Sequence, residues 1–160
     1  MRWIWIDRFE SLTPGKSAVA VKAVTGAEGQ VHDLTPDFPV YPASLIVEGF
    51  GQTAGLLVGH ANDFAEKVVL AKIGRAEFAR VVRPGDVLRF HADIHSLTDA
   101  GAAVSGRVTS GDGPVADIAM MFSHIDNNMA GLAFPEHNFV FVESFKRLIR
   151  DVDNPVDVAQ

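Results

Sequence analysis

The sequence contains no cysteine. That absence removes disulfide scaffolds, zinc–cysteine sites, iron–sulfur clusters and thiol nucleophiles together, and it fits a reducing compartment. Long apolar runs are also missing. Trp3-Ile4-Trp5-Ile6 is interrupted at once by Asp7, short of the roughly seven to fifteen apolar residues of a signal-peptide core. The longest uncharged stretch, 49–62, falls short of the ~20 residues that cross a bilayer. The chain therefore reads as soluble and cytoplasmic, with no membrane partner. A basic stripe is missing too. With 14 Lys and Arg against 20 Asp and Glu the net charge is −6, and the densest basic group is only Lys146, Arg147 and Arg150. Nucleic acid, which demands clustered cations to displace counterions, is excluded as a partner. No phosphate-cradling glycine loop and no Gly-x-Ser-x-Gly elbow occurs. Metal-ligand spacing is absent among His60, His91, His95, His124 and His137. His91 and His95 share a face of one expected strand but stand ~13 Å apart. No metal and no cofactor is expected.

What is present suits one domain. The 160 residues are 48% hydrophobic and 21% charged, ordinary values for a chain with a single core. Residues 1–9 read as a short strand or an amphipathic lead-in, followed by a turn at Thr13-Pro14-Gly15-Lys16. Ser17 to Thr25 is valine-rich and of strand length. Gly26 to Gln30 is a break, and His32 to Pro42, with Pro36, Pro39 and Pro42, is expected to be a loop. Ala43 to His60 is the one long helical candidate, entered from Pro42, with Ser44 able to cap it. It carries Gly49, Gly51, Gly55 and Gly59, each costing up to ~1 kcal/mol relative to alanine, which points to close approach of neighbouring backbone. It is apolar nearly all round and so is expected to be buried.

Strands follow at Val68–Phe78, Val87–Leu97, Ala102–Ser110 and Val115–Ile125, separated by Arg83-Pro84-Gly85-Asp86, Asp99-Ala100-Gly101 and Gly111-Asp112-Gly113-Pro114. Residues 129–160 form a tail after a domain over 1–128, with one short amphipathic helix at Glu143–Arg150. A long buried helix with an antiparallel meander is an α+β arrangement. With the sheet wrapped round the helix, this is the hotdog fold.

Specific motifs then carry a resemblance. Leu34-Thr35-Pro36-Asp37-Phe38-Pro39-Val40-Tyr41-Pro42-Ala43-Ser44-Leu45-Ile46-Val47-Glu48-Gly49-Phe50-Gly51-Gln52 matches, without a gap, the pattern His-Phe-Pro-Gly-x-Pro-Val-Met-Pro-Gly-x-Leu-x-x-Glu-x-x-x-Gln. The three prolines, Val40, Leu45, Glu48 and Gln52 all fall in register. Lys72 to Phe78, followed by Val82-Arg83-Pro84-Gly85-Asp86-Val87-Leu88, looks like the second block of the same pattern, and Ile6-Asp7-Arg8-Phe9 resembles its start. The chain thus resembles the β-hydroxyacyl-acyl-carrier-protein dehydratase (FabA/FabZ) family over roughly residues 4–125. The family's catalytic histidine falls on Leu34. Setting Asp37-Phe38-Pro39 on the His-Phe-Pro motif instead requires a three-residue deletion, and the histidine is absent either way.

The resemblance implies a chemistry. Dehydrating a 3-hydroxyacyl thioester takes a base beside the carbonyl, an acid for the departing hydroxyl and a donor for the enolate-like oxygen. Glu48, the only charged side chain between Asp37 and His60, is the implied catalytic carboxylate. His32, two residues before Leu34, is the candidate substitute base. Leu34, Ala43, Ser44 and Gln52 are the implied substrate-binding residues. Ala43 stands where the family has the glycine whose amide polarises the carbonyl, and Ser44, Glu48 and Gln52 share a helix face.

Three functions stay open: a 3-hydroxyacyl-thioester dehydratase of fatty acid biosynthesis with an altered acid/base pair, a non-catalytic acyl-binding or heterodimer partner subunit, and a hotdog thioesterase. The implied partners are an acyl thioester on acyl carrier protein or coenzyme A and a second chain. That second chain makes a homodimer, a hexamer built as a trimer of dimers, or a heterodimer with a histidine-bearing relative.

Overall fold

Turn chemistry sets most of the element boundaries. In this computed structural model residues 3–32, 37–111, 113–125 and 143–153 are described. Strand β1 (Arg8–Thr13) turns at Pro14–Lys16 into β2 (Ser17–Ala23). A single helical turn, α1 (Gly29–His32), precedes the long helix α2 (Ala43–His60). Then come β3 (Val68–Phe78), β4 (Val87–Thr98), β5 (Gly101–Ser110) and β6 (Gly113–His124), and finally helix α3 (Glu143–Asp153). The six strands form one antiparallel sheet in the order β1-β2-β4-β5-β6-β3. This is the α+β hotdog arrangement.

The sheet wraps α2 because α2 has almost no polar face. Ile46, Phe50, Ala54, Leu56, Leu57 and Val58 are all buried, packed with Leu88, Phe90, Val104, Val108, Ile118 and Met120 from the strands. Its glycines serve different ends. A Cβ on Gly49 would lie 2.7 Å from Phe90 Cζ, so it is an aromatic ring, and not the backbone approach expected above, that requires glycine there. Backbone approach occurs instead at Gly106 of β5, where a Cβ would fall 1.7 Å from the His91 carbonyl oxygen.

Two expectations are corrected here. Ser44 does not cap α2, because Pro42 occupies the N-cap position, no side chain caps the helix, and Leu45 N–H donates to the Pro42 carbonyl at 3.0 Å. The break before the proline-rich segment contains α1, held by Val31 N–H donating to the Glu28 carbonyl at 3.0 Å and by fully buried Val31. Pro36 and Leu34 lie outside the described residues.

The two sheet edges differ. At the β1 edge α3 packs inward through buried Ile149. At the β3 edge no further described strand pairs, and most of its residues are exposed, including Leu70, Ile73 and Phe78. No described helix is long and apolar enough to cross a membrane.

Candidate active site

Glu48 sits in the second turn of α2, half-buried on a helix that otherwise turns apolar groups inward. Its Oε1 accepts two neutral donors, the Trp3 indole Nε1–H at 3.1 Å and the Gln52 amide at 2.9 Å. Gln52, buried one turn later, is itself fixed from the chain start. The Trp5 backbone N–H donates to its Oε1 at 2.8 Å, so its amide nitrogen must donate, to Glu48 and to the Trp3 carbonyl at 3.2 Å. The segment 3–5 thus forms an extended strap across α2, steadied by the edge-on packing of the Trp3 and Trp5 rings at 5.2 Å. No partner among the described residues reaches Glu48 Oε2.

Beside this network lies a cavity of about 340 Å3. Trp3, Glu48 and Gln52 form its polar part, and Gly51, Gly55, Leu56, Val68 and Phe122 belong to its apolar wall. Cβ atoms at Gly51 and Gly55 would meet only ordinary contacts, 3.7 Å to Met120 Sδ and 3.5 Å to Phe122 Cε1. Packing therefore does not force glycine at these two positions, and the absent side chains leave space along the helix. A carboxylate with one oxygen tied to neutral donors and the other uncommitted, at the mouth of an apolar cavity, can exchange a proton with a bound ligand.

The remaining expected site residues are dispersed. Ala43 is exposed and lines a second cavity, of about 450 Å3, at the start of α2, with Tyr41, Ile46, Phe78 and Val82. Ser44 is exposed and belongs to neither cavity, so the structure brings Glu48 and Gln52 together without it. Leu34 and the His32 side chain lie outside the described residues. Tyr41, just before the Pro42 N-cap, is 3% exposed, and its hydroxyl has no partner among the described residues. Burial, followed by the Glu28 and Asp7 carboxylates, pushes its phenol well above the ordinary range. Among the described residues no group of three or more His, Asp or Glu side chains comes together to hold a metal.

Trp3 and Trp5 are the functional neighbours that the sequence reading missed. The available signal was that both tryptophans of the chain fall within its first five residues.

With this geometry in view, comparison with known proteins is decisive. A FabA-like domain model matches residues 3–117. The chain belongs to the FabA-like family. It is 36% identical over 110 residues to a 3-hydroxyacyl-acyl-carrier-protein dehydratase FabZ of Lactiplantibacillus plantarum, covering 68% of this chain and 75% of the relative. It is 36% identical over 121 residues to the FabZ of Caldanaerobacter subterraneus subsp. tengcongensis, covering 75% of this chain and 86% of the relative. Among solved structures it is similar to the dehydratase heterocomplex ApeI:P from Xenorhabdus doucetiae, with a TM-score of 0.62 at 11% identity over 78% of this chain and 85% of the other. That last likeness speaks for the fold alone. The FabA-like match takes in α2, Glu48, Gln52 and the tryptophan strap, and it stops short of α3.

Proposed function

We propose that the protein interconverts 3-hydroxyacyl and 2-enoyl thioesters, with Glu48 as the proton-transferring carboxylate. The observation that carries this reading is the uncommitted Glu48 Oε2 at the polar end of an apolar cavity in a FabA-like chain. In dehydration a proton leaves C2, the C3–O bond breaks, and the hydroxyl departs as water after gaining a proton. The cavity accepts the acyl chain and keeps water from it. Relatives named for acyl-carrier-protein substrates support that carrier as the thioester's source, with coenzyme A as the alternative.

Assembly belongs to the same proposal. A strand edge exposing Leu70, Ile73 and Phe78 is the kind that pairing with a second copy covers. A homodimer is expected, and a monomer in light scattering at micromolar concentration would overturn it.

A second reading is favoured by Leu34, which stands at the family's histidine position. With an apolar residue there the chain binds acyl thioesters as a non-catalytic partner of a histidine-bearing relative. Incubating the pure protein with a 3-hydroxyacyl or enoyl thioester separates the readings. Enoyl–hydroxyacyl interconversion that is lost in Glu48→Gln supports the first. Binding without turnover supports the second, and release of free thiol identifies a thioesterase.

A further inference from the structure

Two residues that line the Glu48 cavity, Phe122 and Phe145, lie beyond the FabA-like match. Phe145, the first apolar residue of α3, lines the cavity together with Leu56, Val68 and Phe122. Phe145, Leu148, Ile149 and Val152 follow the i, i+3, i+4, i+7 spacing of one helix face. Leu148 and Val152 pack against the core, and Ile149 is 3% exposed within it. These anchor the helix. The Lys146 ammonium also lies 5.6 Å over the Phe64 ring, and Phe64 N–H donates to the Gly59 carbonyl at 2.8 Å, at the C-terminal end of α2. The neighbour of Phe145 thus reaches beyond the last turns of α2, whereas Glu48 lies near the helix start. From Glu48 to Leu56 the cavity follows α2 for about 12 Å at 1.5 Å per residue.

We propose that Phe145 closes the end of the cavity remote from Glu48 and is a specificity-determining residue whose ring limits the length of the acyl chain held with its thioester at Glu48. This rests on the reading of the cavity as an acyl site. A chain short enough to end before the ring is accommodated whole. A longer one must displace Phe145, which α3 holds in place, or leave its terminal carbons in water. Each methylene gained or lost against an apolar wall changes selectivity by roughly tenfold or more. The limit therefore falls steeply with chain length.

The test uses the full chain and S-alkyl pantetheine thioethers, which cannot turn over, from butyl to hexadecyl. Binding is followed by isothermal titration calorimetry, because Phe145→Trp adds a tryptophan to Trp3 and Trp5. Wild-type affinity is expected to rise with length to a maximum and then fall. Phe145→Ala shifts the maximum to longer chains, changing the hexadecyl-to-hexyl affinity ratio by at least about tenfold, and Phe145→Trp shifts it the other way. Arg147→Ala, on the exposed face of α3, leaves the series unchanged. If the alanine variant does not fold, Phe145→Leu replaces it against Phe145→Trp. Series for the Phe145 variants that superimpose on the wild type overturn this proposal while leaving the acyl site standing. Failure of every thioether to bind the wild type overturns the acyl-site reading, and this proposal with it.

Discussion

Two carboxylates of this chain sit in the most motif-like stretches of its sequence, and the fold treats them in opposite ways. Asp86, in the Arg83-Pro84-Gly85-Asp86 turn, is saturated. The Arg80 guanidinium donates to both of its oxygens, at 2.8 and 3.2 Å, the Arg83 N–H donates at 2.8 Å, and the Ser110 hydroxyl donates at 2.7 Å. Among the described residues Glu48 meets only neutral donors, both on one oxygen, and its other oxygen has no partner there. A carboxylate bound by a cation and by donors on both oxygens is a fixed tie in the turn. One left with a free oxygen at an apolar wall retains its capacity for proton transfer.

The largest effect should expose that contrast. Glu48→Gln is expected to lower kcat/KM for dehydration by at least about a hundredfold, the low end of what a positioned acid or base supplies, with the melting temperature little changed. Asp86→Asn should do the reverse, keeping turnover per folded molecule while losing about 1–3 kcal/mol of unfolding free energy in urea titration. Activity that survives Glu48→Gln and vanishes in Asp86→Asn would invert the assignment. A second and smaller change sharpens it. If the resemblance sets Leu34 at the family's histidine position correctly, Leu34→His supplies a base there, and dehydratase turnover is expected to rise by at least about tenfold with the far-ultraviolet circular dichroism unaltered. If the wild type is already fast, His32→Ala should abolish its turnover.

The helix glycines offer the same comparison on a smaller scale. Gly49→Ala pushes a methyl to 2.7 Å from Phe90, a fully buried ring. It should cost about 1–3 kcal/mol of overpacking, offset in part by the ~1 kcal/mol that alanine gains in a helix. Gly55→Ala meets nothing closer than 3.5 Å, so the same helix gain is expected to stabilise the chain by up to about 1 kcal/mol. The methyl also narrows the acyl cavity, so turnover of long-chain thioesters should fall while stability rises. Urea titration and steady-state kinetics on both variants check this pair.

How much of this could be read from the chain follows from where the information lies. The limits of α2 and β3 were legible, because Pro42 and the segments around them carry local signals, and the turns at 83–86, 99–101 and 111–114 located β4, β5 and β6 to within a few residues. Glu48 and Gln52 were legible as a pair from their one-turn spacing and the family resemblance. The partners of that pair were not. Trp3 bonds Glu48 across 45 residues, and Trp5 bonds Gln52 across 47, separations that leave no periodic trace. The glycines of α2 were visible as an anomaly, yet one symbol stood for two causes: a ring against Gly49, and space beside Gly51 and Gly55. The single turn α1 is too short to show a period, and buried Val31 anchors it in the core.

The smallest effect separates the saturated carboxylate from a histidine on the same sheet, and it is a matter of sign. Hydrogen bonding from Arg80 comes first among the causes that hold Asp86 well below the ordinary carboxylate value of 3.8, with Arg83 and Ser110 adding and burial opposing. Its folded form therefore binds fewer protons than the unfolded chain below that value. The stability it contributes is complete above about pH 4 and is lost progressively as the pH falls further. His91 is also lowered from its ordinary 6.5, by burial first and then by the charges of Arg107 and Arg89. On acidification the unfolded chain takes up this proton before the folded one does, so stability begins to fall below about pH 6.5. Unfolding free energy measured by urea titration across this range should thus decline in two separate windows. His91→Gln should flatten the upper window and leave the lower, and Asp86→Asn should flatten the lower and leave the upper. A wild type whose stability is level from pH 7 to pH 5 would show that burial and the neighbouring arginines do not depress His91 as their positions imply.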